Sequence, residues 1–437
     1  MKFVKNLGLA LVLMSTVSAG EWPQFRGPFF NGSTDETNLP SSWSATENIA
    51  WTADLPGPSA ATPAVWGDAV LVSSTDLKGD AVLASCFDRK TGARRWAHKV
   101  GSGVRRDIRS SYAAPSPATD GNLAVFFYGS GQLVAFNMAG AELWKRDIQT
   151  DFGEFAFNWT TATSPVLFGG KLYVQILQRD VPVGGRGLKD RENESYILAV
   201  DPKTGKDLWR HTRPSKARAE SRESFATPLP FERNGRKELL VIGGDALSGH
   251  DLESGKELWR WGTWNPTRIK HWRHVPSPVA SQDVVLICAP KNDPVYAIKT
   301  GGTGKLSAES VAWVSDEIRE ITSDVPTPAY YDGDFFVLSD KRKFLSRVVP
   351  STGKVKWSVR TPGDPKIEAS PLAADGKIYT INFRAEVTIF NASDGSVVKT
   401  IAMDPGGADN VRSSVVAAHG QIFLRTNDKL ICVGKKK

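Results

Sequence analysis

The chain has 437 residues, of which 23% are charged and 41% hydrophobic, as in globular proteins with a substantial core and unlike disordered chains. The formal net charge is +8, but Lys2, Lys5 and Lys435–Lys437 lie in the terminal segments, and without them +3 remains. So small a charge on so long a chain excludes the basic surface that nucleic-acid binding requires.

Residues 1–19 have the features of a secretory signal peptide. Lys2 and Lys5 precede the apolar stretch Leu7–Val17, which is too short to cross a bilayer, and Val17-Ser18-Ala19 offers small residues for cleavage. No cysteine follows the apolar stretch, so a lipid anchor is not predicted. We therefore expect a periplasmic or secreted protein without a membrane anchor.

Residues 20–48 precede the first repeat. They contain Trp22, Phe25, Phe29, Phe30 and Trp43, a content too aromatic for a free tail. We expect an N-terminal strap packed on the outside of the following domain.

Internal repetition organises residues 49–434. Each unit begins with a Ser/Thr-Pro dipeptide and continues with an apolar strand, a glycine turn and a second strand. The dipeptides are Thr62-Pro63, Ser116-Pro117, Ser164-Pro165, Thr227-Pro228, Ser277-Pro278, Thr327-Pro328 and Ser370-Pro371, and an eighth unit begins at Ser413-Ser414 without the proline.

A third strand in each unit leads to a Thr-Gly or Ser-Gly turn and a short strand that carries a tryptophan. Clear copies are Asp88–Trp96 and Asp201–Trp209, and most intervals between copies are 42 to 54 residues, the length of a four-stranded propeller blade. The tryptophans predicted to pack between neighbouring blades are Trp51, Trp96, Trp144, Trp209, Trp259, Trp313 and Trp357.

The two ends of the repeat region complement each other. Ser413–Val433 supplies three strands, whereas Ile49–Thr52 is a fourth strand with no unit before it. Pairing them completes a blade and removes the exposed sheet edges. The sequence therefore predicts an all-β, eight-bladed β-propeller of four-stranded antiparallel blades over residues 49–434, followed by a basic tail, 435–437.

The Asp-x-x-Thr-Gly-x-x-x-Trp segments resemble the tryptophan-docking motif of quinoprotein alcohol dehydrogenases. Over about 390 residues the chain resembles the pyrroloquinoline-quinone (PQQ) repeat propellers, and Trp22–Pro28 is similar to the start of an exported group within that family. The family also includes the lipoprotein propeller of the outer-membrane assembly machinery, which performs no chemistry. The resemblance implies the fold, but activity differs among members.

Quinoprotein dehydrogenases bind PQQ and calcium, and many place a pair of adjacent cysteines against the cofactor. Cys86, Cys288 and Cys432 are far apart in sequence, and the calcium ligands of the family have no placeable counterparts. We predict neither cofactor nor metal, with PQQ and calcium as the open alternative. The cysteines are interpreted as buried thiols, with a bridge between Cys86 and Cys432 as the other possibility.

The crossings between blades and the loops after each second strand share one face around the axis. Polar residues concentrate in these crossings, and Arg109, Glu223, Arg273, His274, Asp324 and Glu368 are predicted to form one patch near the axis. The candidate ligand-binding residues are Arg109, Tyr112, Trp159, Glu223, Trp264, Arg268, His271, Arg273, His274, Arg319, Asp324, Glu368 and Arg412.

Two interpretations of this face stay open. The charges form either a self-satisfied ring of ion pairs or a site for a carboxylate, a phosphate, a sugar or a partner protein. His271 and His274 lack a neighbouring cysteine or carboxylate, so no metal site is predicted. Residues 179–195, a polar insertion on the same face, are expected to form a mobile surface loop, with a lid or a partner contact as the alternative.

The chain contains no GxSxG, P-loop or HExxH motif, and no catalytic residue is predicted. The favoured function is that of an exported, non-catalytic binding or scaffold propeller whose polar face takes an unknown protein or small molecule. The alternative is a PQQ- or metal-dependent oxidoreductase that uses the same face.

Overall fold

The computed structural model describes residues 20–315, 320–403 and 410–434. Nearly all regular structure in them is β-strand, and the exceptions are the helix α1 (Ile148–Phe152) and three 3-10 turns at Ala219–Arg222, Pro290–Asn292 and Ala308–Ser310. None of the helices in these ranges is long and apolar enough to span a membrane. The predicted signal peptide, the basic tail and Arg319 lie outside the described residues.

The strands form eight antiparallel sheets arranged as a ring, which confirms the predicted eight-bladed propeller. The strand β1 (Ile49–Asp54) precedes the first blade. Each following blade runs from the axis outwards. Blade one contains β2 (Ala64–Trp66), β3 (Ala69–Asp76), β4 (Ala81–Asp88) and β5 (Arg94–Ser102), and blade two contains β6 (Ala118–Thr119), β7 (Leu123–Phe127), β8 (Gln132–Asn137) and β9 (Glu142–Asp147). Blade three contains β10 (Val166–Phe168), β11 (Lys171–Ile176), β12 (Tyr196–Val200) and β13 (Asp207–Thr212), and blade four contains β14 (Leu229–Arg233), β15 (Arg236–Gly243), β16 (Ala246–Asp251) and β17 (Glu257–Trp261).

The remaining blades follow the same plan. Blade five contains β18 (Val279–Ala280), β19 (Val284–Cys288), β20 (Val295–Lys299) and, after β21 (Gly304–Lys305), β22 (Val311–Val314). Blade six contains β23 (Ala329–Tyr331), β24 (Asp334–Ser339), β25 (Phe344–Val348) and β26 (Val355–Arg360), and blade seven contains β27 (Leu372–Ala374), β28 (Lys377–Ile381), β29 (Glu386–Asn391) and β30 (Val397–Ala402). Blade eight contains β31 (Val416–Ala418), β32 (Gln421–Arg425), β33 (Lys429–Val433) and β1. β1 pairs antiparallel with β33, with Trp51 opposite Cys432, so the first strand closes the last blade.

Six of the seven repeat tryptophans lie on a glycine in the hairpin turn of the next blade. Trp51 covers Gly92, where a Cβ would come within 2.6 Å of the indole, and its Nε1 donates to the carbonyl of Arg89 at 2.7 Å. Gly92 also has a φ of 74°, so glycine is required there by both conformation and contact. The other five pairs are Trp96 with Gly140, Trp144 with Gly205, Trp209 with Gly255, Trp313 with Gly353 and Trp357 with Gly395.

Trp259 is the exception. The fifth blade has a longer connection between its outer strands, and β21 from this connection lies beside Trp259 as a parallel fifth strand of blade four. The Trp259 Nε1 therefore donates within its own blade, to Glu238 Oε2 at 2.7 Å.

The expectation that the strap lies on the outside is wrong for its first half. Residues 20–34 cross the end of the channel remote from the blade crossings and form hydrogen bonds with the innermost strands of five blades, at Val65, Thr119, Leu167, Tyr330 and Ala373. Trp22 N–H donates to the Val65 carbonyl at 2.9 Å, and Ala373 N–H donates to the Gly32 carbonyl at 2.9 Å. The strap closes this end of the channel.

Arg26 fastens the strap to the blades from inside the channel. Its guanidinium donates to the carbonyls of Pro328 at 2.7 Å and Pro371 at 3.1 Å, which belong to neighbouring blades. The side chain is buried without a carboxylate partner in the described parts of the chain, and this burial lowers the pKa of Arg26 to about 9. The second half of the strap joins the core cluster of blades seven, eight and one through the buried Leu39 and Trp43.

A continuous ring of hydrogen bonds encircles the axis at the start of the innermost strands. The backbone N–H of one residue in each blade donates to the side-chain hydroxyl of the equivalent residue in the next blade, at 2.9 to 3.3 Å. We call this set the hydroxyl ring, and its members are Thr62, Ser116, Ser164, Thr227, Ser277, Thr327, Ser370 and Ser414.

Replacing one member of the ring should destabilise the whole propeller. In a Ser277→Ala variant the buried N–H of Thr227 loses its acceptor, which costs about 1–3 kcal/mol of unfolding free energy. Urea unfolding measures this cost. Ser277→Thr keeps the hydroxyl and serves as the control, and equal stability of the two variants would contradict the structural role of the ring.

Removing residues 20–55 should prevent cooperative folding, because it opens the channel floor and exposes the edge of β33. The expected result is aggregation in size-exclusion chromatography and the loss of a sharp calorimetric transition. A chain lacking residues 435–437 is the control. If the longer truncation melts like the full chain, closure by β1 and the strap is wrong.

Candidate functional site

The channel is a blind cavity that opens at the face formed by the blade crossings. It has a volume of about 150 Å³, residues from all eight blades line it, and Phe25 of the strap contributes to the lining. The walls are layered because the crossings run along the axis as extended chain, in which alternate residues point the same way. The hydroxyl ring forms one of these layers.

A second layer lies two residues before each ring member. Six blades place an apolar side chain there, and the other two place Glu368 and Arg412. The apolar members are Ala60, Ala114, Ala162, Phe225, Val275 and Val325. The channel therefore has an apolar arc over six blades and a charged side over two adjacent ones.

The charged side is organised around Glu368. Arg109 Nη1 donates to Glu368 Oε1 at 3.2 Å, and Arg412 Nε donates to Oε2 at 2.7 Å. The Glu368 side chain is nearly buried, whereas that of Arg109 is 40% exposed. Two cations around one carboxylate leave this group with an excess positive charge at the channel mouth.

A second ion-pair group lies on the other side of the mouth. Arg273 Nη1 and Trp159 Nε1 both donate to Glu220 Oε1, at 3.3 and 3.0 Å, and the Arg273 guanidinium lies 5.9 Å from the centre of the Trp159 ring. Arg273 and Trp159 line the cavity.

A groove of about 520 Å³ adjoins the mouth and shares Ala60, Arg109 and Arg412 with the channel. Its wall includes a turn held by Asp107, whose carboxylate accepts from two N–H groups of its own turn and from the N–H and hydroxyl of Thr160. This turn presents Ile108, which is 75% exposed.

The structure brings five of the thirteen predicted ligand-binding residues into the channel lining, namely Arg109, Trp159, Arg273, Glu368 and Arg412. Their role in binding stays a prediction. Glu223 and His274 lie behind them in the crossings and are both fully buried. Asp324 accepts from the Lys291 N–H at 2.7 Å and pairs with Lys341.

The other candidates among the described residues do not line the cavity. Trp264 is buried and packs against His274, with ring centres 5.1 Å apart, whereas Arg268 and His271 are exposed. Tyr112 packs on a core cluster of the first two blades. The dense aromatic stretch after β17 is thus mainly an inter-blade contact.

Glu223 anchors the insertion of residues 179–195. Its carboxylate accepts from Arg179 Nε at 2.5 Å and from the Asn158 N–H at 3.1 Å. Burial raises the pKa of Glu223 to about 7 despite these donors. Further contacts hold the insertion, including an ion pair of Arg222 with Asp180 at 3.1 Å and a hydrogen bond from Arg186 to the Phe157 carbonyl at 2.6 Å. These contacts join the insertion to the crossings before blades three and four, and its mobility stays a prediction.

Three features of the site were missed by sequence reasoning: the hydroxyl ring, the apolar arc and Phe25. The ring residues are the serines and threonines used only as repeat markers, and the arc residues precede them at a constant offset of two positions. The offset was therefore available as a signal. Phe25 could not be found in this way because the strap does not repeat.

The described carboxylates that line the channel and the groove do not fit a calcium-bound quinone. Glu368 is taken by two arginines, and Asp107, the one carboxylate lining the groove among the described residues, already accepts four hydrogen bonds. Cys86, Cys288 and Cys432 are separate buried free thiols, so no bridge joins Cys86 to Cys432.

A cluster with metal-ligand chemistry occurs elsewhere, between blades three and four. His211, His250 and Glu257 place ligand atoms within 4.8 Å of one another. However, the His250 nitrogens contact Ser248 and Gly255, and Glu257 is paired with Arg260 through both oxygens. Because these atoms already form hydrogen bonds and an ion pair, the three residues are better explained as a structural cluster than as a metal site.

The fold and the site thus define an eight-bladed propeller whose channel is closed at one end and has an arginine-rich mouth at the other. The sequence profile of the family described as outer membrane protein assembly factor BamB matches residues 31–179 and 193–437, so the chain belongs to this PQQ-repeat family. No curated protein sequence shows significant similarity to the chain.

Solved structures share the fold at low identity. A europium-containing methanol dehydrogenase has a TM-score of 0.70 at 11% identity, with 93% of this chain and 89% of the other covered. The quinohemoprotein alcohol dehydrogenase of Comamonas testosteroni gives 0.62 at 14% identity, covering 96% and 81%. BamB of Moraxella catarrhalis gives 0.57 at 14% identity, covering 88% and 96%. Enzymes and an assembly factor therefore share this architecture, which does not choose between their functions.

His274 should make the protein sensitive to acid. Burial lowers the pKa of His274 to about 3, below its ordinary value of 6.5, so the unfolded chain binds the proton first as the pH falls. The stabilisation is complete above about pH 6.5 and decreases below it, by about 1.4 kcal/mol per pH unit. Between pH 6 and 4.5 the wild type should lose about 2 kcal/mol more unfolding free energy than His274→Phe.

Urea unfolding across this pH range measures the difference. His271→Phe, at an exposed histidine three residues away, is the matched control and should follow the wild type. Parallel pH profiles for the wild type and His274→Phe would show that the buried ring does not titrate as expected.

Proposed function

We propose that the protein is an exported, non-catalytic binding propeller whose recognition site is the channel mouth and the adjoining groove. The observation that carries this proposal is a channel that is closed at one end and has more cationic than anionic side chains in its described lining. Among the described residues, three arginines and one carboxylate line a cavity that the strap closes at its far end. Such a cavity suits a ligand that enters and leaves by one opening.

The charged groups are held in place before any ligand arrives. Arg109 and Arg412 are fixed by Glu368, and Arg273 is fixed by Glu220 and Trp159. Fixed donors lose little conformational entropy on binding, which favours recognition. Export rests on the signal-like residues 1–19 alone and is part of the proposal.

Replacing Arg109 and Arg273 together by alanine tests this function. Glucose, inorganic phosphate and benzoate represent the three ligand classes that arginine and aromatic side chains suit, and thermal shift reports their binding. A ligand of the wild type should bind the double variant at least about tenfold more weakly, because each lost charge-assisted hydrogen bond is worth about 1.5–3 kcal/mol.

The matched control is Arg94→Ala with Arg360→Ala, at exposed arginines of outer strands. Equal binding to the wild type and the Arg109/Arg273 variant would overturn the proposed site. A titration with PQQ and calcium tests the oxidoreductase alternative, and saturable stoichiometric binding seen by quinone absorbance would favour it over the proposed function.

A further inference from the structure

The hydrogen-bonding capacity of the hydroxyl ring is used in one direction. Every ring hydroxyl accepts a backbone N–H from the preceding blade, but none donates to an acceptor among the described residues. All eight side chains are more than nine-tenths buried and line the cavity. Eight O–H donors therefore remain for whatever occupies the channel.

The charged side adds donors rather than acceptors. Both Glu368 oxygens already accept from arginines, whereas Arg109 Nε is buried without an acceptor in the described part of the chain. The described part of the cavity thus offers unused N–H and O–H groups and an excess of positive charge. A cationic ligand would find like charge there, and an anionic one would find donors.

The wall opposite the charged side determines the second chemical feature of the ligand. The apolar arc includes Ala162, Phe225 and Val275, and Trp159 lines the same cavity. A cavity of about 150 Å³ is large enough for a benzene-sized body. Because one side of the cavity is apolar and the other side carries hydrogen-bond donors, a matching ligand has an apolar body and a hydrogen-bond-accepting group.

We propose that the channel binds a small organic carboxylate with an apolar, ring-sized body. The carboxylate lies on the Arg109–Arg412 side and the body lies against the apolar arc above the hydroxyl ring. This inference rests on the proposed function and narrows its ligand class. A sugar would leave its hydroxyls against the apolar arc, and inorganic phosphate would leave the arc unfilled.

Three probes of one shape and different charge test the assignment. Benzoate, benzamide and benzylamine are titrated calorimetrically into the full-length protein. Benzoate should bind at least about tenfold more tightly than benzamide, the ratio expected for one charge-assisted contact, and benzylamine should not bind. Equal affinities for the three would overturn the anion assignment and leave the proposed site intact.

Two variants locate the binding. Arg109→Gln should weaken benzoate binding about tenfold and remove most of the preference over benzamide, whereas Ala162→Trp should abolish binding by filling the channel without changing its charge. Arg360→Gln, at an exposed arginine of the sixth blade, is the control. If the Ala162→Trp variant does not fold, the change in benzoate affinity of the Arg109→Gln variant alone tests whether benzoate binds in the channel.

The outcomes separate the two proposals. Benzoate binding that survives both substitutions would place it outside the channel and overturn the inference. Arginine-dependent binding of glucose or phosphate without benzoate binding would overturn the ligand class but support the proposed site. If no probe binds in a manner that depends on Arg109, the ligand class is wrong, and the Arg109/Arg273 variant then decides the site with any other ligand found.

Discussion

The hydroxyl ring is the interaction on which the rest of the structure depends. Each blade supplies one backbone donor and one hydroxyl acceptor, so every blade is bonded to both neighbours and the chain of bonds ends where it began. Because the bonds have similar lengths, they hold the eight innermost strands in register about the axis. The residues two positions earlier consequently form a layer, and the residues three positions later, such as Val65 and Ala373, meet the strap.

The strap converts a ring with two openings into a cavity with one. Its Trp22–Gly32 part reaches blades on opposite sides of the axis, and Arg26 binds carbonyl groups directly after two ring members. The same segment continues into β1, which completes the eighth blade. Closure of the ring and closure of the channel floor are therefore performed by one continuous stretch of chain, and both stabilise the same blades.

Asymmetry within the repeat is the source of the candidate site. Eight blades offer eight equivalent positions in each layer, and a uniform layer would give a featureless channel. In the second layer two blades depart from the apolar pattern with Glu368 and Arg412, and Arg109 reaches the same carboxylate from across the mouth. Dehydrogenases and an assembly factor share this architecture, so the blades by themselves do not determine the function.

The sequence by itself determined the number of blades, the ring closure and the face that carries the charged crossings, because tryptophan and glycine turns repeat at a period that blade geometry imposes. It also singled out Arg109, Arg273 and Glu368, since their phase in the repeat sets their height along the axis. Only the tertiary structure decided that Glu223 and His274 are buried behind the mouth, that β21 pairs with the Trp259 strand, and that the strap closes one end of the channel. These features depend on side-chain direction and on contacts between non-repeating segments, and neither leaves a periodic trace in the sequence.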